Sequence, residues 1–555
     1  MASRSTLAST SLALARRAAL EARSAGYAWQ AGMLALDRPD KAARILRAMG
    51  RFGQLGAAIT IASIRHGDRL GVIDELGSLT FSDLDERSSA LAAGLHDRGI
   101  TQRDTIGILC RNHRGFLDAT FATGKLGTRT LYLNADFGGP QLCDVCEREG
   151  VTLLIHDEEY EQLIAGVEPS RGRLLGWTED RGTADSIERV IRDHAGQAPP
   201  VPTEPASVVL LTSGTTGTPR GASRHQGTSL HPIGALLSKV PYRSRESSYI
   251  AAPMFHGLGF TQMVLAVTLG CTTIVDRRFK PDRVLDAISD RRPEVLVVVP
   301  VMVQRIVSLL EAEPGGWDTS SLRIIFSSGS QLEAELVRRT QRAIGDVLYN
   351  FYGSTEVAWA TFATPEDLRA APGTAGRPPF GTIVRLYDSG GRPLDGSGKT
   401  GRIFVGNGYQ FDGYTGGGGK EMLDGLMSTG DVGHFDEAGR LFVDGRDDDM
   451  IVSGAETLFP GEVEELLLTH PAVEEAAVVG VEDAEFGQRL AAFVVRRPGT
   501  ELSEDGVREF VKQNLARYKA PRDVTFLEHL PRNPTGKVLK RELRARQAEP
   551  THLSE

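Results

Sequence analysis

Residues 208–222 read VVLLTSGTTGTPRGA and carry the strongest local signal in the chain. Four apolar residues predict a strand, after which glycines alternate with serine and threonine. Glycine lets a backbone approach an anion closely, and successive amide N–H groups with hydroxyls form a phosphate nest. The run is not a Walker loop, because the GK[ST] ending is absent and Pro219 stands there instead. Since a buried strand leads directly into the loop, we favour a nucleotide triphosphate site over a flexible linker.

Outward from this loop, apolar runs of strand length alternate with amphipathic segments. Residues 81–99 are predicted to form a helix with Ser82 as a candidate N-cap. Strands are predicted at residues 105–109, 151–155, 208–211, 272–275, 295–299 and 322–326. This alternation predicts an α/β fold whose sheets are largely parallel.

A change of texture near residue 445 predicts a domain junction, because the acidic run DGRDDD at 444–449 interrupts a strand-like segment. Strands at 476–481 and 490–496 follow, then a helix and a Pro-rich loop at 531–537. We predict a large N-terminal domain with parallel-rich sheets and helices, followed by a small mobile α+β domain. The predicted division is a basic N-terminal extension at 1–60, the large domain at 61–445 and the small domain at 446–555, with a hinge at 445–449.

The composition excludes several classes of protein. The chain has 555 residues, a net charge of −9 and no block of Lys and Arg, so nucleic acid is not an expected partner. The longest apolar stretch near the start, Leu55 to Ile64, is shorter than the roughly 20 residues that span a bilayer. Cys143 and Cys146 form a single CxxC pair with no second pair at finger spacing. We therefore favour reduced cysteines in a cytosolic protein over a zinc site or a redox pair.

The first sixty residues are basic, with nine Arg and Lys residues against three acids. Residues 1–20 contain no acid and are rich in Ser, Ala and Arg, as in an organellar transit peptide. A coding bias towards arginine explains the same composition. Two further alternatives remain for the extension. It contacts a membrane peripherally, or it packs on the fold through Leu34, Leu36, Ile45 and Leu46. The predicted location is cytoplasmic, with membrane attachment and organelle targeting left open, as is the oligomeric state.

Six further blocks follow the 208–222 loop in order. They are 253–259 (PMFHGLG), 328–330 (SGS), 350–356 (NFYGSTE), 428–431 (STGD), 445–454 (GRDDDMIVSG), and 517–521 (RYKAP) with 534–537 (PTGK). Together the blocks resemble the ANL superfamily of adenylate-forming enzymes, and the resemblance spans residues 70–545. It implies ATP and Mg²⁺ as cofactors, with coenzyme A as co-substrate.

The resemblance also implies a role for each block. The catalytic set is Lys537, Glu356, Thr355 and His256, with Glu356 directed at Mg²⁺ and His256 at the entrance of the acyl pocket. Tyr352 lies against adenine, with Ser328, Gly329 and Ser330 forming the opposite wall. Asp431 and Arg446 face the ribose. Asp448 is the hinge, and Gly454 lines the coenzyme A tunnel. The implied ATP and AMP site comprises Thr212, Ser213, Gly214, Thr215, Thr216, Gly217, Arg220, Ser328, Gly329, Ser330, Asn350, Tyr352, Gly353, Ser354, Asp431 and Arg446.

Charge chemistry agrees with the role of Lys537. An acyl adenylate forms when a carboxylate meets the α-phosphate of ATP, and two anions need cations and donors between them. Lys537 is one of only ten lysines and lies on a Pro/Gly loop. The plain alternatives are a helix-capping role for Glu356 and a core position for His256.

Two departures from the family pattern stand out. Arg220 replaces the usual lysine of the phosphate loop, which keeps the positive charge but presents a planar fork. Residues 414–420 read YTGGGGK, so the loop before Asp431 is unusually rich in glycine.

The resemblance and the lack of an acid near residues 253–260 favour an apolar carboxylic acid as substrate. The chain ends shortly after Lys537, which favours a self-contained ligase over a fragment of a peptide synthetase. We predict a fatty-acyl-CoA synthetase acting on long- or medium-chain acids, with fatty acid, ATP and CoA as its partners. The alternatives are an acyl-AMP ligase that loads a carrier protein and, because of Arg220, a degenerate adenylate-binding regulator.

Overall fold

A computed structural model describes the protein over the following residues: 2–135, 137–179, 185–212, 220–223, 229–415, 417–447, 451–453, 456–458, 460–483, 487–515, 519–533 and 536–548. Three sheets and twelve helices precede residue 447 in this part of the chain, and a smaller α+β unit follows it. This arrangement confirms the predicted fold class.

The first sheet has eight strands. They are β1 (Leu70–Asp74), β2 (Gly77–Thr80), β9 (Ser247–Ile250), β10 (Thr272–Ile274), β11 (Val295–Val298), β12 (Ile324–Ser327), β13 (Leu348–Tyr352) and β14 (Thr361–Ala363). Their order is β14-β13-β12-β11-β9-β10-β1-β2. The five inner pairs are parallel and the outer pair at each edge is antiparallel. The carboxyl ends of β12 and β13 therefore meet at one edge of the sheet.

The second sheet has seven strands and contains the 208–222 segment. They are β3 (Thr105–Leu109), β4 (Arg129–Tyr132), β5 (Val151–Asp157), β6 (Arg173–Trp177), β7 (Ser207–Thr212), β8 (Arg220–Ser223) and β18 (Gly413–Tyr414). Their order is β18-β8-β7-β4-β3-β5-β6. The strands from β7 to β6 are parallel, whereas β8 runs antiparallel to both β7 and β18.

The third sheet is antiparallel, and its strands lie between residues 383 and 446. It contains β15 (Ile383–Tyr387), β16 (Pro393–Leu394), β17 (Gly401–Gly406), β19 (Met422–Leu423), β20 (Leu426–Phe435) and β21 (Leu441–Arg446). Its order is β16-β15-β17-β20-β19, and β21 pairs with β20. The long strand β20 carries the STGD motif, so pairing with β21 fixes what faces Asp431.

Helices cover the parallel sheets. They are α1 (Ala2–Gln30), α2 (Pro39–His66), α3 (Phe81–Asp97), α4 (Arg114–Leu126), α5 (Gly139–Arg148), α6 (Ile187–Asp193), α7 (His231–Leu237), α8 (Gly257–Thr268), α9 (Pro281–Arg291), α10 (Pro300–Ala312), α11 (Ala334–Ala343) and α12 (Pro365–Ala370). The predicted helix at 81–99 is confirmed, but its N-cap is Thr80. The Thr80 and Asp83 side chains form a reciprocal capping box, which leaves Ser82 inside the first turn.

The unit after residue 447 is small. It contains a hairpin of β22 (Ile451–Ser453) and β23 (Glu456–Leu458), a sheet of β24 (Val473–Asp483), β25 (Gly487–Arg496) and β26 (Asp523–Leu527), and helices α13 (Pro460–Leu468), α14 (Glu504–Asn514) and α15 (Lys540–Ala548). Val463, Val478, Val494 and Val511 form part of its separate apolar core. Both strands predicted for this region fall inside β24 and β25.

The N-terminal segment packs on the rest of the protein. Ser24 of α1 is fully buried against α7, and a Cβ added to Gly234 would lie 2.5 Å from the Cα of Ser24. Leu34 contacts the main core, whereas Leu36 and Leu46 are 91% and 73% exposed. Residue 60, the boundary proposed from the sequence, falls inside α2. Among the helices described here, none combines the length and apolar character needed to cross a membrane.

Candidate functional site

The predicted phosphate loop connects the antiparallel strands β7 and β8. Thr212 ends β7 and pairs with Arg220, which begins β8; only their backbones are described. Ser213, Gly214, Thr215, Thr216 and Gly217 lie outside the described residues, as do Asp448, Gly454, Arg517, Pro534 and Thr535. The structure therefore fixes both ends of the loop where β7 ends and β8 begins in the second sheet, and the roles of the residues between them stay predictions.

The SGS and NFYGSTE motifs lie at the carboxyl ends of β12 and β13, which are neighbouring parallel strands of the first sheet. Ser327 pairs with Asn350, so Ser328, Gly329 and Ser330 follow β12 beside the end of β13. Asn350 is buried and its Nδ2 donates to the carbonyl of Thr374 at 3.3 Å. The parallel register thus brings the two predicted walls of the adenine site together.

Glu356 lies in a tight turn directly after β13, preceded by Gly353, Ser354 and Thr355. The backbone N–H groups of Glu356 and Val357 donate to Ser354 Oγ, both at 3.3 Å. Glu356 is only 8% exposed, and the Tyr414 hydroxyl donates to its Oε1 at 2.8 Å. A buried carboxylate with one oxygen held by a donor is a suitable ligand for Mg²⁺, which takes one or two carboxylates together with substrate phosphates.

Tyr352, Asp431 and Arg446 form one group, joined by a hydrogen bond and an ion pair. The Tyr352 hydroxyl donates to Asp431 Oδ2 at 2.6 Å, and Arg446 Nη1 lies 3.5 Å from Asp431 Oδ1. Asp431 and Arg446 are direct partners in the β20–β21 pairing. Burial raises the pKa of Asp431 above its ordinary value, against the opposing effects of Tyr352, Arg446, Lys537 and Lys420. The predicted adenine residue and the predicted ribose pair are therefore adjacent.

Lys537 belongs to the small domain but acts on this group, because its positive charge opposes the rise in the pKa of Asp431 that burial causes. A turn holds the lysine: its backbone N–H donates to Asn533 Oδ1 at 2.8 Å, and Asn533 N–H donates to the Lys537 carbonyl at 2.9 Å. Gly536 has φ +77°, and a Cβ there would lie 2.4 Å from Val301 Cγ1 at the start of α10. The loop that carries Lys537 is thus seated against the large domain.

His256 is the N-cap residue of α8, although its side chain makes no capping bond. Its ring lies 4.6 Å from that of Phe255, and its Nε2 is buried with no hydrogen-bond partner in the described part of the chain. Burial lowers the pKa of His256 to about 4, so the imidazole is neutral at ordinary pH. The next residue, Gly257, lies near Leu210 of β7. A neutral ring with an unpaired nitrogen in apolar surroundings agrees with a place beside an apolar pocket, and its role as a gate stays a prediction.

Four residues at the site have no role assigned from the sequence, namely Tyr414, Thr415, Glu149 and Lys420. Tyr414 holds Glu356, and Glu149 accepts a hydrogen bond from the neighbouring Thr415 at 2.6 Å. A Cβ on Gly430 would lie 3.3 Å from Lys420 Nζ and 3.4 Å from Arg446 Nη2, which places Lys420 beside Asp431. The sequence indicated this region only through the glycine-rich stretch 414–420, whose first and last residues are Tyr414 and Lys420.

A second cluster is formed by other buried side chains. Within the described residues, Cys110, His113 and Asp157 are the one group of three whose ligand atoms are close enough to hold a metal. His113 Nδ1 accepts from the Gly115 N–H at 3.1 Å, so its Nε2–H donates to Asp157 Oδ1 at 2.9 Å. Arg111 N–H donates to the other Asp157 oxygen at 2.9 Å. These bonds satisfy the His and Asp side chains, so the cluster is a structural network.

Comparison with known proteins agrees with the site. The profile of the AMP-binding enzyme family matches residues 61–415, and that of the AMP-binding enzyme C-terminal domain matches residues 462–537. The chain is 33% identical over 493 residues to a feruloyl-CoA synthase of an Amycolatopsis species, covering 87% of this chain and 95% of the relative. It is 29% identical to an indoleacetate–CoA ligase of Aromatoleum aromaticum, covering 86% and 95%.

A solved structure shows the same likeness. The o-succinylbenzoate CoA synthetase of Bacillus subtilis, in complex with its acyl-adenylate intermediate, has a TM-score of 0.74 and 26% identity, covering 88% of this chain and 97% of that one. The predicted use of ATP, Mg²⁺ and coenzyme A is confirmed by the family assignment. From the two matched domains and the grouping of Glu356, Tyr352, Asp431, Arg446 and Lys537, we conclude that this chain belongs to the AMP-binding enzymes, the adenylate-forming CoA ligases of the ANL superfamily.

Proposed function

We propose that this enzyme activates an aromatic carboxylic acid as its acyl adenylate and then transfers the acyl group to coenzyme A. Three relatives support this substrate class by their names, since feruloyl, indoleacetate and o-succinylbenzoate groups each carry an aromatic ring. None of these three is named for a fatty acid. The fatty acid predicted from the sequence is therefore retained only as the competing substrate in the experiment below.

The observation that carries the adenylation step of the proposal is the position of the Lys537 loop against the large domain. In this arrangement the charges of Lys537, Arg446 and Lys420 all act on Asp431. Adenylate formation joins a carboxylate oxygen to the α-phosphorus of ATP, while the bond to the β-phosphate breaks and pyrophosphate leaves. Both reactants are anions, so a lysine brought to their meeting point stabilises the charge that develops. Mg²⁺ bound with ATP supplies further neutralisation, and Glu356 is the side chain suited to hold it.

Aromatic side chains surround the segment that follows Glu356. The Trp359 ring lies 5.7 Å from Tyr409, and its Nε1 donates to Thr382 Oγ1 at 2.8 Å. Asn407 Nδ2 donates to the carbonyls of both Val357 and Trp359 at 2.7 Å, which fixes this segment. We propose that this segment borders the acid pocket, where flat, rigid side chains would favour a planar ring over a flexible alkyl chain, because aromatic pairs gain about 0.5–1.5 kcal/mol beyond their buried area.

The second half-reaction requires the coenzyme A thiol to attack the acyl carbonyl, which releases AMP. We propose that the small domain rotates about Asp448 for this step and that Gly454 then lines the path of coenzyme A. Seating of the Lys537 loop belongs to the first step, so the second step follows after that loop has left.

The experiment is an AMP-release assay over a panel of acids. Ferulate, indoleacetate and o-succinylbenzoate are compared with straight-chain acids of six to sixteen carbons at equal concentration, with and without coenzyme A. The proposal predicts coenzyme A-dependent AMP release that is at least tenfold faster with an aromatic acid. Faster release with a straight-chain acid would restore the fatty-acid hypothesis. Acyl-AMP formation that coenzyme A never discharges would favour a ligase that loads a carrier protein.

A further inference from the structure

Two hydrogen bonds link Glu356 to the far end of α5. The Tyr414 hydroxyl donates to Glu356 Oε1 at 2.8 Å, and Thr415 Oγ1 donates to Glu149 Oε1 at 2.6 Å. Since Tyr414 and Thr415 are neighbours, the two bonds hold one dipeptide from opposite directions.

Glu149 is a firm anchor for this dipeptide. Its side chain is 2% exposed, and its Oε2 accepts from Arg129 Nη2 at 2.6 Å. Arg148 also donates to Oε1, at 3.1 Å. Burial alone would raise the pKa of Glu149, but the hydrogen bonds from Thr415 and Arg129 outweigh it and hold the pKa below its ordinary value. An ionised, buried acceptor makes the bond to Thr415 stronger than a neutral one would be.

The same dipeptide is fixed to the strand that leaves the phosphate loop. Tyr414 pairs with Ala222, and the Thr415 N–H donates to the Gly221 carbonyl at 2.8 Å. A Cβ on Gly221 would lie 2.6 Å from Thr415 Oγ1, so this approach requires glycine. Tyr414 is therefore tied to the phosphate-loop strand through its backbone and to Glu356 through its hydroxyl.

The sequence that follows explains why anchors are needed here. Residues 416–419 are four consecutive glycines. Glycine loses more conformational freedom on folding than any other residue, so such a run does not hold its own shape. Tyr414 supplies contacts to this run, because its N–H donates to the Gly418 carbonyl at 3.2 Å and its carbonyl accepts from the Gly417 N–H at 2.9 Å.

We propose that Tyr414 is a positioning residue for Glu356, and that Glu149 holds Tyr414 in place through Thr415. The inference rests on the proposed function, because it assigns to Glu356 the task of holding Mg²⁺. With Oε1 bound to the tyrosine hydroxyl, the carboxylate keeps one orientation, and Oε2 is the oxygen that would be available to hold Mg²⁺. Loss of a residue that orients a metal ligand typically lowers metal affinity or activity about 10–100-fold.

The test uses the full-length protein with Tyr414→Phe and Thr415→Val. Mn²⁺ binding is measured by electron paramagnetic resonance in the presence of a non-hydrolysable ATP analogue. Tyr414→Phe is expected to weaken Mn²⁺ binding about tenfold, and Thr415→Val to weaken it less. In ATP–pyrophosphate exchange, the Mg²⁺ concentration for half-maximal rate rises in parallel, while the KM for the acid stays within about twofold of wild type.

Tyr387→Phe is the matched control, because its hydroxyl donates to Asp424 Oδ2 at 2.9 Å in the third sheet. This variant removes a tyrosine–carboxylate hydrogen bond like that of Tyr414, and it is expected to leave Mn²⁺ binding unchanged. The double variant of Tyr414 and Thr415 should lose less than the product of the two single losses. Unchanged Mn²⁺ affinity in Tyr414→Phe would overturn the proposal. If wild type exchanges pyrophosphate with no acid, the proposed function fails, and the Mn²⁺ measurement still decides the role of Tyr414.

Discussion

At the scale of single residues, Lys537 separates the two half-reactions. The structure seats its loop against Val301 and brings its charge to bear on Asp431. Lys537→Ala is expected to slow ATP–pyrophosphate exchange more than a hundredfold, since loss of a group that stabilises developing charge costs about 3 kcal/mol. Thioester formation from supplied acyl-AMP should continue at the wild-type rate. Lys512→Ala, on the exposed face of α14, is the control, and equal loss of both half-reactions would make Lys537 structural.

Glu333 gives the contact between the domains a dependence on pH. It precedes α11, and its Oε2 is buried without a partner in the described part of the chain. The nearby Gly373 lies between Ala334 and Glu465, since a Cβ there would be 3.4 Å from each. Burial, followed by the charges of Glu465 and Glu464, raises the pKa of Glu333 to about 8, against the opposing charges of Lys540 and Arg532.

The sign of the effect follows from this raised pKa. An exposed glutamate has a pKa of 4.5. Between pH 4.5 and about 8, Glu333 is therefore protonated while the two domains are in contact, and it loses its proton when they separate. The stabilising contribution of Glu333 is complete below pH 4.5 and is lost as the pH rises to about 8. Glu333→Gln should therefore flatten the decline of pyrophosphate exchange between about pH 6 and 8.5. The same decline in this variant and in the exposed Glu313→Gln control would exclude Glu333 as its source.

At the scale of elements, α1 is part of the folded large domain. Glu21 accepts from Ser229 Oγ at 2.6 Å and from the Leu230 N–H at 2.9 Å, at the start of α7. Tyr27 stacks on Phe380 with ring centroids 5.7 Å apart. We expect Glu21→Ala to lower the free energy of unfolding by about 1 kcal/mol, as loss of a helix cap does. Urea unfolding measures this, with the exposed Glu86→Ala as control, and equal midpoints would show that α1 adds nothing through Glu21.

The first half of α2 presents a surface that suits an anionic membrane. Leu46 and Met49 are 73% and 38% exposed, with the exposed Arg44 and Arg47 beside them. Each Arg near an anionic surface contributes on the order of 1 kcal/mol within a Debye length. We expect wild type to bind vesicles containing phosphatidylserine in a salt-dependent way, and Leu46→Ser with Met49→Ser to bind several-fold less. Equal sedimentation with neutral vesicles would discard membrane contact, which is otherwise still a prediction.

At the scale of the whole molecule, the sequence predicted the parts that local pattern determines. The apolar runs indicated three strands in each of the two parallel-rich sheets, and the ordered motifs indicated the group around Asp431 and Lys537. The sequence left packing of the N-terminal extension as one of several alternatives, because Ser24, Tyr27 and Glu21 form no apolar stripe and their partners lie some 200 or more residues away. It also missed Tyr414 and Glu149, since a hydrogen bond across 266 residues leaves no local pattern.

As an adenylate-forming ligase, this protein is expected to form an acyl adenylate before it forms a thioester. This order is measured in a single-turnover experiment with excess enzyme, Mg²⁺, ATP and ferulate, with quenched products identified by mass spectrometry. Without coenzyme A, we expect feruloyl-AMP and pyrophosphate in equal amounts, and added coenzyme A should convert the adenylate to feruloyl-CoA and AMP. Formation of ADP and phosphate, or of a thioester with no preceding adenylate from any acid of the panel, would contradict it.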